Sequence, residues 1–371
     1  MTTASQRMPL IDALKAIASQ LIVLHHLASY GPLAAAGRDL LPGTMGWLFE
    51  YARMAVQVFL VIGGFLAIRG LSPNGEALAG SPLPLLWKRY LRLSIPFLAA
   101  IALAIIGSAI ADHWLDDEAI PARATFGQWL AHATLLHGIL GVDSLSAGVW
   151  YIAIDFQLFA LTALLLWAGR RRLLAPALIL ATGIASLFWF NRDAGWDNWA
   201  VYFFGSYALG AAAWWAGDRR QYLVWLSLIL TVGVAVLLVD FRLRIALALG
   251  VALLLGCSRR TGWLERCPEI APLPWLGRIS YSVFLIHFPI LLLANAVVAQ
   301  FDTLSDTATI AAMLLAWIAS IAAGALFYRF VESPSASQRI SGAIGKLMLG
   351  PLSLAAKLPG AALLMARLRR A

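Results

Sequence analysis

Ile11-Asp12-Ala13-Leu14-Lys15-Ala16-Ile17-Ala18, continuing through Leu24-His25-His26, is an apolar helical run with a charged pair at one end and two adjacent histidines near its middle. On a helix rising about 1.5 Å per residue, the path from Lys15 to His26 covers roughly 16 Å, about half of a ~30 Å hydrocarbon layer. With Lys15 at a membrane surface, His26 falls near the midplane, where an ionisable side chain is costly and function is the default reading. Asp12, Lys15 and His26 share one helical face, a polar stripe that needs protein or water opposite it.

The rest of the chain has the composition of a membrane bundle. Of its 371 residues 61% are hydrophobic and 13% charged, with a mean hydropathy of +0.79; an ordinary soluble domain is about 25% charged. Apolar runs of spanning length fall at 12–31, 47–68, 93–111, 148–168, 173–190, 199–216, 222–239, 243–256, 279–299 and 308–328, so the sequence predicts an all-α polytopic bundle of about ten spans. The segment 126–141 is too short and broken to cross and reads as a dipping or interfacial helix. Cys257 and Cys267 are too few for a disulfide framework and read as free thiols. Asp12 and Lys15 interrupt any leader-like start, so the first helix is expected to be its own anchor.

The net charge of +9 is explained by its distribution. With the N-terminus inside, the inner segments hold 22 of the 28 Lys and Arg residues, and the outer ones hold Arg38, Arg53, Arg123, Arg192, Arg242 and Arg244. That bias predicts N-in, C-in topology. Basic residues dispersed over every inner loop also argue against a nucleic-acid partner. The longest outer segment, 112–147, carries Asp112, His113, Asp116, Asp117, Glu118, Arg123, His132, His137 and Asp143; it reads either as the lining of an outer site or as a solvated loop. Residues 1–334 form the expected transmembrane domain. Residues 335–371, with Lys346, Lys357 and broken by Pro351 and Pro359, read as a basic amphipathic tail on the inner leaflet.

Several side chains stand out against this apolar background. His25 and His26 point about 100° apart, so both cannot face one small site equally. Each reads either as a bond to a neighbouring helix or as a neutral imidazole able to take a proton from a hydroxyl. Arg89 and Arg92, beside Lys88, are ordinary inner-face cations or a phosphate clamp. Asp155 lies inside a span opened by Trp150 and Tyr151, where a carboxylate needs a partner. His287 lies nine residues above Arg278 and approaches the level of His26, with Pro289 placed to kink its helix.

Taken in order, these residues resemble the acyltransferase-3 membrane family. The likeness runs through Asp12-x-x-Lys15 and His26, the Val58 to Leu66 block, Arg89-x-x-Arg92, Trp150-Tyr151 to Gln157, Ile279-Ser280-Tyr281 to His287-x-Pro289, and Tyr328 to Glu332-x-Pro334. Each motif is short, and their order and spacing make the match specific. Gly63 stands where the family commonly has Ser, and Asp155 where it commonly has Glu. The resemblance implies a ten-helix enzyme of a bacterial inner membrane, without a permanently bound cofactor or metal. It would move an acyl group, usually acetyl, from cytoplasmic acyl-coenzyme A to a hydroxyl of an extracytoplasmic glycan or lipid-linked sugar, alongside polysaccharide assembly proteins. It also implies His26 as the catalytic histidine, with Asp12 and Lys15 as its motif partners. Arg89, Arg92 and Lys88 would meet the donor, and Asp155, Tyr151, Gln157, Tyr281 and His287 the substrate. A transporter or flippase of a sugar-containing molecule would also carry mid-membrane charges, but predicts pseudo-symmetric halves with broken helices. A noncatalytic envelope subunit would make the histidines and arginines incidental.

Overall fold

The computed structural model describes residues 7–169, 174–218, 220–301, 303–336 and 338–340. Among them the regular structure is helical throughout. The helices are α1 (Pro9–Ser29), α2 (Gly31–Leu40), α3 (Pro42–Glu50), α4 (Val56–Leu71), α5 (Leu83–Ala111), α6 (Phe126–Ala133), α7 (Trp150–Ala168), α8 (Leu174–Phe188), α9 (Ala200–Ala216), α10 (Tyr222–Val239), α11 (Leu243–Thr261), α12 (Trp263–Arg266), α13 (Leu273–Val298) and α14 (Asp306–Phe327). Among the described residues each of the ten apolar runs falls mainly in helix. Eight of the described segments are long and apolar enough to cross a membrane. The two that fall short are instructive: α9 has 17 residues, and the last turn of α11 carries Arg259 and Arg260.

Local chemistry sets the element ends. Prolines open α1, α2 and α3, where the missing amide proton removes nothing the helix would use. Thr125 and Gln128 form a reciprocal capping box on α6, and α11 stops at Gly262 in the left-handed region with φ 75°. The single run expected at 47–68 is broken: α3 ends at Glu50 and a 3-10 turn, Ala52–Ala55, leads into α4.

α9 is the hub, in contact with α4, α7, α8, α10 and α11, which accounts for its burial along nearly its whole length. Leu60, Ile68, Leu158, Phe204, Tyr207 and Trp215 form part of the apolar core around it. α4 and α9 meet backbone to backbone. A Cβ at Gly64 would strike the Tyr207 carbonyl, and one at Gly210 the Val61 carbonyl, so only glycine permits this approach. α1 packs along α13, and α13 along α5.

The chain divides into two compact units, Met1–Ala325 and Leu326–Ala371. In the described part of the second, Tyr328–Glu332 is a π-helical turn in which the Ser333 amide donates to the Tyr328 carbonyl at 2.7 Å. The arginines counted at 170–172 and 219, and the tail reading beyond residue 340, fall outside the described residues.

Candidate active site

α1 and α13 bring His26 and His287 together. His26 Nδ1 lies 2.7 Å from His287 Nε2, and the rings stack at 4.9 Å between centroids. The tautomers follow from the outer partners. His287 Nδ1 sits 2.8 Å from the Phe284 carbonyl and 3.1 Å from the Val283 carbonyl. A carbonyl only accepts, so His287 Nδ1 carries the hydrogen and its Nε2 offers a lone pair. His26 Nδ1 must then donate, which leaves the lone pair of His26 on Nε2. That nitrogen has no hydrogen-bond partner among the described residues and is not sealed from solvent, and His26 lines a cavity of about 730 Å³. The arrangement is an oriented proton acceptor facing a space of ligand size.

The surroundings fix the ring further. Tyr30, one turn beyond His26 on the same face, stacks on it at 5.7 Å and against Phe288 at 5.4 Å. Gly148, at φ +78°, presents its backbone to the ring, and a Cβ there would lie 3.4 Å from His26 Cε1. His25 also lines the cavity, with its Nδ1 3.3 Å from the Leu48 carbonyl. The two adjacent histidines, which cannot face one small site equally, both border this wide cavity.

The remaining residues singled out from the sequence separate into groups. Lys15 and Asp12 pair with each other at 3.1 Å near the start of α1. They do not line the cavity that His26 borders. Arg89 and Arg92 do not act as a pair. Arg89 donates to Asp155 at 2.5 Å and lies over the Phe159 ring, whereas Arg92 and Lys88 are exposed. The side chains open to a ligand on this stretch are therefore Lys88 and Arg92, at i, i+4. Beside them Trp87, Tyr90 and Phe156 line an apolar hollow of about 400 Å³ along α5.

Asp155, a carboxylate that needs a partner inside its span, holds Arg89. Tyr151, one turn before it on α7, does border the cavity. Gln157 ties the chain together: its Nε2 donates to the Asn198 carbonyl at 3.2 Å and its Oε1 accepts from the Ala200 amide at 3.0 Å. Tyr281 donates its hydroxyl to the Leu93 carbonyl at 3.1 Å, joining α13 to α5. His287 supports His26 and is absent from the cavity lining. Gly63 faces the Asp155 cluster, since a Cβ there would meet the Tyr207 ring at 3.0 Å and Asp155 Oδ1 at 3.8 Å.

In the segment 112–147 His132 and His137 are both buried, with rings stacked at 4.1 Å. His132 Nδ1 donates to the Gln128 carbonyl at 2.8 Å, and its Nε2 accepts from the Leu145 amide at 3.2 Å. His137 has no hydrogen-bond partner on either ring nitrogen among the described residues. Burial, with His132 beside it, pushes the His137 pKa down to about 4. The solvated-loop reading therefore does not describe these two residues.

Comparison with known proteins adds to this geometry. A curated relative, peptidoglycan O-acetyltransferase OatA of Listeria monocytogenes, is 22% identical over 369 residues, covering 88% of this chain. The chain spans 55% of that relative's length. No solved structure matches. The acyltransferase-3 family, described as an acyltransferase domain, matches residues 9–329, nearly the whole of the helical bundle, and this chain belongs to that family.

Proposed function

We propose that the protein is a membrane O-acyltransferase. It would carry an acetyl group from acyl-coenzyme A at the inner face to a hydroxyl of an extracytoplasmic or lipid-linked glycan, with His26 as general base. The observation that carries this reading is the His26 Nε2 lone pair, fixed by His287 and open to the cavity. The positive-inside distribution supports an N-in, C-in chain. It sets Lys88 and Arg92 at the cytoplasmic side, where they would meet the donor's phosphates.

In the proposed step the acceptor hydroxyl gives its proton to His26 Nε2 as its oxygen attacks the thioester carbonyl. The tetrahedral intermediate then collapses, the carbon–sulfur bond breaks, and the departing thiolate takes the proton from His26. The ester and free coenzyme A result, and His26 is returned unchanged. His287 holds the Nδ1–H throughout and so keeps the accepting nitrogen aimed at the cavity.

The test is transfer of labelled acetyl from acetyl-coenzyme A to glycan by the purified full chain in lipid nanodiscs. His26→Ala should abolish transfer while the protein still elutes as a folded species. Transfer by His26→Ala at the wild-type rate would refute the assignment. Movement of an unmodified sugar lipid across the bilayer, without ester formation, would favour a flippase instead.

A further inference from the structure

The cavity that His26 borders carries cations that the acyl transfer step does not use. Arg53, Arg242 and Arg244 line it, and Asp197 is the one carboxylate among the described lining residues. Arg242 is tied into the fold through both terminal nitrogens, although its buried Nε has no hydrogen-bond partner among the described residues. It donates to Asn191 Oδ1 at 2.5 Å and to the Leu187 carbonyl at 2.8 Å, and its Nε lies 3.3 Å from Asp240, an acid shared with Arg192.

Arg244 and Arg53 are placed differently. Arg244 is half-buried, gives one nitrogen to the Asn191 carbonyl at 2.8 Å and lies over the Tyr202 ring at 5.1 Å. Arg53 uses its Nε on the Glu50 carbonyl at 3.2 Å. Neither makes an ion pair among the described residues, so each keeps donors of its planar fork for another partner. Arg244 is also in the first turn of the 19-residue α11, whose positive end reinforces the local field. All these arginines are on the side that the charge distribution assigns to the exterior, where cations are scarce and a cluster needs a reason.

We propose that this cavity selects an acceptor bearing an anion, a carboxylate or a phosphate, near the hydroxyl that is acylated. Arg244 and Arg53 bind that anion, and Arg242, held by Asn191 and Asp240, supports the seat of Arg244. The proposal rests on the acyltransferase reading of the His26 cavity and adds the class of substrate. Two sources supply such an anion: an acidic sugar, or the phosphate that joins a sugar to its lipid carrier.

Binding to the His26→Ala protein in nanodiscs of neutral lipid tests the idea without turnover, read by tryptophan fluorescence. One pair of probes is a uronic acid oligosaccharide and its neutral carboxamide twin. The other is a neutral oligosaccharide on polyprenyl diphosphate and the same oligosaccharide freed from the lipid. The expected result is a preference of about tenfold or more for the anionic member of one pair, in keeping with a charge-assisted hydrogen bond. The pair that shows it identifies the source.

Arg244→Gln should erase that preference, and Arg244→Lys should keep part of it. Arg53→Gln, on an exposed turn, should reduce it in a background that folds normally. Equal binding within both pairs, or a preference undiminished in Arg244→Gln and Arg53→Gln, overturns the proposal even if wild-type protein acylates glycans. Acylation by His26→Ala would instead overturn the catalytic reading beneath it.

Discussion

Replacing His287 by Leu tests the orientation of the base without touching the nitrogen proposed to react. The substitution removes the acceptor 2.7 Å from His26 Nδ1 and leaves that N–H buried with nothing to bond. An orphaned buried donor costs about 1–3 kcal/mol. The ring then escapes by turning or by moving its hydrogen to Nε2, and either change withdraws the lone pair from the cavity. If the whole cost appears in the barrier, kcat falls by about 5- to 150-fold. The KM for acetyl-coenzyme A should stay where it is, because His287 is absent from the cavity lining. His287→Gln retains a carbonyl acceptor at similar reach and should recover part of the loss. In the His26→Ala background His287→Leu should cost nothing further, because the two residues act as one unit. Steady-state acetyl transfer in nanodiscs, with folding checked by thermal melting, reads all four proteins. A folded His287→Leu enzyme with kcat within twofold of wild type would refute the orienting role.

The same apparatus checks two more predictions. Asp155→Asn strands the Arg89 guanidinium inside the bundle, where the pair meets at 2.5 Å, and breaking a buried pair from one side should cost about 3 kcal/mol. Joint replacement of Arg89 by Met and Asp155 by Leu should recover most of it, and single variants as stable as wild type would dismiss the pair as structural support. His137 supplies a pH signature. Its folded pKa of about 4 lies below the ordinary 6.5, so the folded state binds fewer protons than the unfolded one, and stability falls as pH drops from about 6.5 to 4. The loss should approach about 3 kcal/mol. His137→Phe should flatten that slope, and a melting profile parallel to wild type from pH 7 to 4 would reject the assignment.

Much of the fold is legible in the sequence because lipid demands long apolar helices, and eight described segments are long and apolar enough to cross a membrane. The break between α3 and α4 was not, since a single charge, Arg53, within Tyr51 to Ala55 does not announce the end of a helix. The site divides the same way. Asp12 and Lys15 pair at i, i+3, a contact that spacing alone announces. The turning of Arg89 inward and Arg92 outward depends on which face of α5 meets α7, and periodicity says nothing about that when both faces are greasy. The bond between His26 and His287 joins helices far apart in the chain; counting residues from Arg278 put the two at a similar depth, but not in contact. Arg242 and Arg244 did leave a signal: as outer cations they run against the charge bias that orients the chain, and such exceptions mark sites. Gly148 left none, because its positive φ is set by tertiary packing.

The hydrogen bond between residues 26 and 287 has a consequence for biosynthesis. One half of the proposed reactive pair is made almost at once, and the other only after some three quarters of the polypeptide has been synthesised. A ribosome-bound intermediate that has inserted its early helices therefore holds an imidazole without its hydrogen-bond partner. The contact forms late, when α13 docks beside α1, so a chain cut short at any earlier point lacks the residue that holds the His26 ring.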